Sequence, residues 1–371
     1  MPIAQVQAVP IKVERAIDNI PVTAEMLESA TVAFQSVETC SSPEEKINLG
    51  SAACARYIDW AVKEVHRREL TIKQDYRVHW WKVLEKFTES ETGRALIQQA
   101  PNTKQELDQL TSKLGVEGEV IARFGPELVS LLTGHTDPLT HFLQNDLLFR
   151  VYHSDEFVRP NRYMADFVRL NTSQKKNLRI LEIGAGTGGT TLPIFQRCSP
   201  NGEAFCSKYM YTDVSAGFFQ NVRRTTLKKW SYLLQFRTLN LEYDVAEQGF
   251  EKYSYDLVIA ANVVHATQSL SKSLSTIHQL LKPGGVLGLV EITKATPFYD
   301  MVFGSISGWW SGIEEGRTDG PLQSTKQWNE QLQKVGFSGV DLSAYDFPEP
   351  ERHMALLLST ALPVDAKASG H

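Results

Sequence analysis

From Asn177 onward the chain alternates short apolar runs with segments of helical length. LRILEIG, KYMYTDV, LQFRTLN, YDLVIAA and VLGLVEIT each read as a strand, and helix-length stretches separate most of them. Strands joined by helical crossovers run parallel, and a parallel sheet covered on both faces explains why these runs are apolar almost throughout. The pattern predicts an α/β fold with a doubly wound, mostly parallel sheet. Upstream, from about Pro21 to Leu148, strand-like runs are absent. In SSPEEKINLGSAACARYIDWAVKEVHRREL, Ser42 can cap a helix, Pro43 fits its first turn, Glu45 completes a capping box, and Ile58, Val62 and Val65 share one face. Asn102 with Gln105 repeats the start signal before ELDQLTSKL. The expected organisation is an all-helical N-terminal subdomain over 1–160, on the lid or substrate side, and an α/β core over 161–362. A linker-like tail, PVDAKASGH, follows over 363–371, and the boundary falls near Pro160 to Gln174.

Composition removes several classes. A formal charge of −5 argues against general binding to a phosphate backbone, which needs clustered Lys and Arg, so no nucleic-acid partner is expected. Cys40, Cys54, Cys198 and Cys206 form no CxxC pair, and the nine histidines include no HExxH; no metal is expected. Glu14, Arg15 and Asp18 interrupt any signal-like apolar run at the start, and no apolar run approaches the roughly 20 residues that span a bilayer. A soluble, cytoplasmic protein without a membrane partner is the expectation.

The most glycine-dense stretch, LEIGAGTGGTT, follows the first strand. Ligands of doubly wound sheets bind beyond the carboxyl ends of the strands. Gly184 permits a tight turn there, and Gly186 lets the backbone approach a ligand without a Cβ clash. Gly184, Gly186 and Gly189 also satisfy GxGxxG, which taken alone fits a dinucleotide site or a plain strand-to-helix turn. Charge separates the readings. Glu182 sets a carboxylate at the strand end, where it would repel a pyrophosphate but meet the ammonium group of S-adenosylmethionine directly or through water. Asp213, in YTDVS, can accept hydrogen bonds from ribose hydroxyls, or can cap the turn over Ser215. Asn240 and Leu241, in TLNLEYD, offer an adenine-edge contact and an apolar wall. Ala185, Val214, Ala261 and Asn262 stand at the same strand ends and complete the candidate cofactor set.

A methyl acceptor that must first lose a proton requires a base. His265, in ANVVHATQS beyond the fourth strand, is the candidate, because imidazole is the side chain whose unperturbed pKa lies nearest physiological pH. Glu291 ends the apolar run of the next strand, and neighbouring strands would bring both side chains to one edge, where the carboxylate can fix the imidazole tautomer. Phe149 and Tyr152, in LLFRVYHSDE, fall on a helix that could cover the cofactor, with Tyr152 a candidate to orient a substrate carbonyl. Trp309 and Trp310, in FGSISGWWSGIEEGR, are candidates to line an apolar tunnel. LKPGG reads as a turn before strand five.

LEIGAGTGGTT, YTDVS, YDLVIAANVVHAT, LLKPGGVLGLVEIT and GWWSGIEEGRTDGPLQSTKQW together resemble the C-methyltransferase (CMeT) domain of fungal iterative polyketide synthases, over about Leu139 to Leu358. The nonreducing kind, of which the citrinin synthase is an example, is the nearer likeness. Asn240 stands where related domains often carry Asp. The resemblance implies a class I S-adenosylmethionine-dependent methyltransferase with a Rossmann-like core, and a His265–Glu291 dyad. It also implies a substrate held as a thioester on an acyl carrier protein, among the other domains of the same synthase. The expected reaction is C-methylation of the α-carbon of a β-ketoacyl or poly-β-ketoacyl chain during polyketide biosynthesis. A small-molecule O-methyltransferase using the same histidine, an NAD-dependent oxidoreductase and a noncatalytic docking module stay open as alternatives.

Overall fold

The computed structural model describes residues 43–175 and 177–363. Seven strands form one sheet: β1 (Arg179–Ile183), β2 (Lys208–Asp213), β3 (Leu234–Thr238), β4 (Tyr255–Ala261), β5 (Leu281–Ile292), β6 (Leu342–Tyr345) and β7 (Met354–Thr360), in the spatial order β3-β2-β1-β4-β5-β7-β6. The first five pair in parallel; β7 inserts antiparallel between β5 and β6. The direction of winding reverses between β1 and β4, so their carboxyl ends flank the crevice where such sheets bind ligands.

Alternation along each strand splits the core in two. Ile180, Tyr209, Leu257, Val286 and Leu356 point to one face, whereas Leu181, Met210, Val258, Leu287 and Leu357 point to the other. The helices Leu270–Leu280 and Thr325–Lys334 cover the second face through Leu274, Ile277, Trp328 and Leu332. The first face merges with the N-terminal helices into one cluster that runs from Tyr57 and Trp80 to Phe303 and Leu358. Trp80 Nε1 donates to the Asp300 carbonyl at 2.7 Å, and Tyr76 Oη donates to the Ser305 carbonyl at 2.5 Å. These bonds seat the helix Arg77–Glu89 on the segment that follows β5.

Most of the anticipated elements are present, and several differ in detail. Ile58, Val62 and Val65 are buried together, as their spacing predicts. Ser42 lies outside the described residues. The helix Lys104–Thr111 is capped by Thr103 with Glu106, one residue later than expected, because the Asn102 side chain instead accepts a 2.7 Å hydrogen bond from the Arg56 guanidinium. Residues 160 and 161 lie inside the continuous helix Asp155–Gln174. LKPGG is not a separate turn: β5 begins at Leu281, and the partner of β4 jumps from Leu281 to Val286 across a bulge in which Gly284 takes φ +77°. β6 and β7 were not anticipated as strands. Every residue of β7 is buried, as expected of a strand with sheet neighbours on both edges and helices on both faces.

Leu356 is fully buried in β7. Leu356→Ala is expected to lower the unfolding free energy by about 2–5 kcal/mol, read as a lower urea midpoint at unchanged m-value.

Candidate active site

The glycine loop leaves β1 through a series of locally enforced bonds. Gly184 has φ +61°, and a Cβ there would sit 2.3 Å from Val263 Cγ2, so only glycine fits. The Ala185 amide donates to the Thr212 carbonyl at 2.9 Å, and Tyr211 Oη donates to the Gly186 carbonyl at 2.8 Å. Gly186 has φ +53°, and a Cβ there would come no nearer than 3.7 Å to any atom. Such a Cβ would make only ordinary contacts, with the Gly184 carbonyl oxygen and Asp213 Oδ2.

Asp213 closes the loop from the next strand. Its Oδ2 accepts from the Gly186 amide at 3.0 Å and its Oδ1 from the Ser215 amide at 2.8 Å, so the turn-capping role is present. Burial raises its pKa, and the amide bonds oppose that shift. Val214 is 68% exposed and is the apolar side chain standing in the open here. Leu241 is packed in the core with Leu239, Val245 and Phe250, which makes its side chain core and not pocket wall. Asn240 Oδ1 accepts from the Glu242 amide at 2.9 Å, a local turn that fixes the loop after β3.

Glu182 is 1% exposed, and its Oε2 accepts from both Tyr209 Oη (2.6 Å) and Thr191 Oγ1 (2.7 Å). Burial pushes its carboxyl up to about 7, against the pull of those two hydroxyls. Sequence reasoning placed this carboxylate toward a ligand cation. The structure adds two protein partners that it missed, one on β2 and one on the helix Thr191–Cys198. Tyr209 and Tyr211 stand two residues apart on β2 and so share a face, which was the available signal.

At the ends of β4 and β5, His265 and Glu291 meet. The Nδ1–Oε2 distance is 2.5 Å, and the residues are 4% and 0% exposed. A carboxylate only accepts, so Nδ1–H donates and Nε2 keeps its lone pair. Glu291 is placed by the pairing of β5 with β4 on one side, and by Ala355 of β7 on the other. His265 sits in the short turn Val264–Ala266, one turn beyond β4. Between them, Asn262 holds a left-handed φ of +54°, its amide donates to the Val290 carbonyl at 2.7 Å, and its Oδ1 is buried with no partner. A buried acceptor left unpaired costs about 1–3 kcal/mol, and Glu291 Oε1 is a second one at the same strand ends. A ligand rich in N–H and O–H donors and carrying positive charge suits such acceptors; a pyrophosphate does not.

An aromatic chain leads away from the imidazole. The Trp309 ring stands edge-on to His265 at 5.6 Å between centroids and stacks on Phe303 at 5.8 Å, and Phe303 lies 6.4 Å from Tyr152. The Tyr152 backbone covers the glycine loop, its carbonyl lying 3.2 Å from where a Cβ on Gly189 would be. Desolvation pushes its phenol up to about 12, so it stays a hydrogen-bond donor at neutral pH. Trp310 is brought elsewhere: it is buried, donates from Nε1 to the Gly304 carbonyl at 2.7 Å and packs near His79, which is a structural role. Phe149 stacks on His153 with centroids 4.0 Å apart. Among the described residues no group of three or more His, Cys, Asp or Glu could hold a metal, and no helix is long and apolar enough to cross a membrane.

Comparison with known proteins agrees with this architecture. Residues 181–287 match the family described as a methyltransferase domain. The highly reducing polyketide synthase AFT9-1 of Alternaria alternata is 36% identical over 305 residues, 82% of this chain, and the chain spans 10% of that synthase. Among solved structures, the CurJ carbon methyltransferase superposes with a TM-score of 0.73 at 25% identity, covering 92% of this chain and 98% of that one. The trans-methyltransferase CalH, solved in complex with SAH, gives 0.73 and 25% identity over 87% of this chain and 92% of its own. The CMeT domain of the citrinin polyketide synthase, at 21% identity and a TM-score of 0.70 over 92% of this chain and 94% of that domain, shares the fold.

Because the folded pKa of Glu182 lies above its unfolded value, the folded state binds the proton more tightly, and ligand-free stability falls as pH rises from about 4.5 to about 7. Glu182→Gln is expected to remove that fall, on the order of 1–3 kcal/mol, when urea midpoints at pH 5 and pH 8 are compared between variant and parent.

Proposed function

We infer the reaction from a membership: this chain belongs to the S-adenosylmethionine-dependent carbon methyltransferase domains of polyketide synthases. Its substrate is the α-carbon of a β-ketoacyl or poly-β-ketoacyl chain held as a thioester on an acyl carrier protein of the same cytoplasmic synthase. The observation that carries this reading is the buried 2.5 Å contact between His265 and Glu291 beside the glycine loop.

The methyl donor, when bound, supplies an electrophilic methyl group on a sulfonium; the protein then has to supply a carbon nucleophile in line with it. Gly184, Gly186, Asp213 and Asn262 would hold the donor, with Val214 beside its base. An α-hydrogen between two carbonyls is acidic enough for imidazole to remove. His265 Nε2 takes that proton, and the electron pair left on carbon becomes the nucleophile. Glu291 fixes the tautomer that leaves Nε2 basic and stabilises the imidazolium once it forms. Tyr152 Oη donates to a substrate carbonyl and stabilises the enolate oxygen. Trp309 keeps water from the imidazole and guides the acyl chain along the aromatic path.

His265→Ala is expected to bind S-adenosylhomocysteine normally and lose about 10²–10⁴-fold in kcat toward a β-ketoacyl thioester, and Glu291→Gln at least about tenfold. Assays with ¹³C-labelled donor, read by NMR, check both the rate and the bond. Label on the α-carbon supports the reading; label on oxygen, or parental turnover in His265→Ala, removes it. For the cofactor, S-adenosylhomocysteine at about 100 times its Kd is expected to add about 2.7 kcal/mol to stability and raise Tm, while NAD leaves Tm unchanged in the same scan.

A further inference from the structure

The segment that carries Trp309 returns to the active site a second time, through Arg317. Its Nη1 donates to the His265 carbonyl at 2.5 Å, and its Nη2 donates to the carbonyls of Thr267 and Gln268, the last at 3.2 Å. Its Nε lies 3.2 Å from Glu315 Oε2. Glu315 in turn accepts from the Leu270 amide at 3.0 Å and from Ser269 Oγ at 2.9 Å, at the start of the helix Leu270–Leu280. The side chain is 9% exposed, so the carbonyls that its Nη atoms reach stand in for water there, while Nε makes the ion-pair contact with Glu315 and no hydrogen bond. Gly312 makes room for it: a Cβ there would lie 2.1 Å from Arg317 Cζ. Within the turn, the Thr267 hydroxyl and amide donate to the Val264 carbonyl at 2.8 and 3.2 Å and the Ala266 amide donates to the Val263 carbonyl at 3.1 Å, while the Gln268 amide donates to Glu242 Oε1 at 2.9 Å.

We propose that Arg317 is the positioning residue of the active site, a clamp that locks the turn bearing His265 to the loop bearing Trp309 and so holds the imidazole at a fixed place over the cofactor crevice. This rests on the reading of His265 as the base. The carbonyls of residues 265, 267 and 268 belong to the short stretch that joins the turn Val264–Ala266 to the helix Leu270–Leu280. A planar fork with several fixed donors can tie such carbonyls together; an ammonium, with one point of attachment, cannot. Trp309 packing on the ring and Arg317 bonding to its backbone restrain the same residue from side chain and main chain. Removing the clamp leaves the glycine loop bound to Asp213 and Asn262 bound to the Val290 carbonyl, and lets the base drift. A misplacement of about 1 Å is worth about 100-fold in rate.

The test compares the parent with Arg317→Ala, Arg317→Lys and Gly312→Ala, the last of which displaces the guanidinium without removing its charge. In Arg317→Ala, kcat is expected to fall about 100-fold, while the Kd for S-adenosylhomocysteine by calorimetry stays within about twofold. Arg317→Lys restores little, Gly312→Ala behaves like Arg317→Ala, and added guanidinium ion at millimolar concentration recovers about tenfold in the Ala variant. Hydrogen exchange by mass spectrometry reads the clamp without turnover: the peptide over residues 263–270 exchanges about tenfold faster in Arg317→Ala, and the glycine loop is unchanged. Unchanged exchange over 263–270, or a kcat within about threefold of parent, overturns the clamp. Equal loss of donor binding also overturns it, since the residue would then be a general support. If the parent itself methylates no β-ketothioester while the exchange result holds, the reaction assignment falls and the clamp stands.

Discussion

A carboxylate pressed against an imidazole in a site closed to water has consequences for everything built around it. Glu291 is fully buried, so its charge is supported by the Nδ1–H of His265 and not by solvent. Such a pair tolerates little movement, because breaking it strands an ionised group in a medium of low dielectric. The parallel register of β4 and β5 fixes one member, and the turn after β4 fixes the other. The glycine loop, one strand away on β1, is locked to β2 by the Thr212 carbonyl and the Tyr211 hydroxyl. The parallel pairing of β1 with β4, and of β4 with β5, thus brings the glycine loop and the His265–Glu291 pair to a common edge.

The parts of this arrangement that were legible in the sequence are those with a local signature. Five parallel strands show as apolar runs, the glycine loop as composition, and the partnership of His265 with Glu291 follows from strand ends that a doubly wound sheet sets side by side. The missed features are those decided by distant chain. β7 reads MALLLST, seven residues whose identity as a strand depends on lying between β5 and β6. The cap at Thr103 and not Asn102 is decided by Arg56, a residue on another helix. Trp309 and Trp310 are adjacent and chemically identical, yet only the first reaches the imidazole, because the short helix Ser307–Trp310 turns them in different directions. Glu182 was read from its charge alone, and the two hydroxyls that hold it come from elements that meet only in the folded sheet.

The N-terminal helices are more than a cover. Tyr57, Trp80 and Phe124 belong to the same apolar cluster as one face of the sheet, and Trp80 and Tyr76 bond to the chain just after β5. The rings of Tyr152, Phe303 and Trp309 pack in the same cluster, so substitutions that loosen the helices are felt at the ring that meets His265 as well as in stability.

The insertion of β7 beside β5 has a temporal side. Glu291 is opposite Ala355 and Ile292 opposite Met354, so the strand that carries the carboxylate gains its outer neighbour only from β7, the last strand in chain order among the described residues. During synthesis the glycine loop and the imidazole leave the ribosome well before that neighbour exists. The outer edge of β5 stays unpaired in the meantime, with its backbone groups exposed to any competing strand. Translation therefore delivers the glycine loop first and the outer neighbour of Glu291 last, and a nascent chain halted before residue 354 would carry the sequence motifs without the strand that supports its carboxylate.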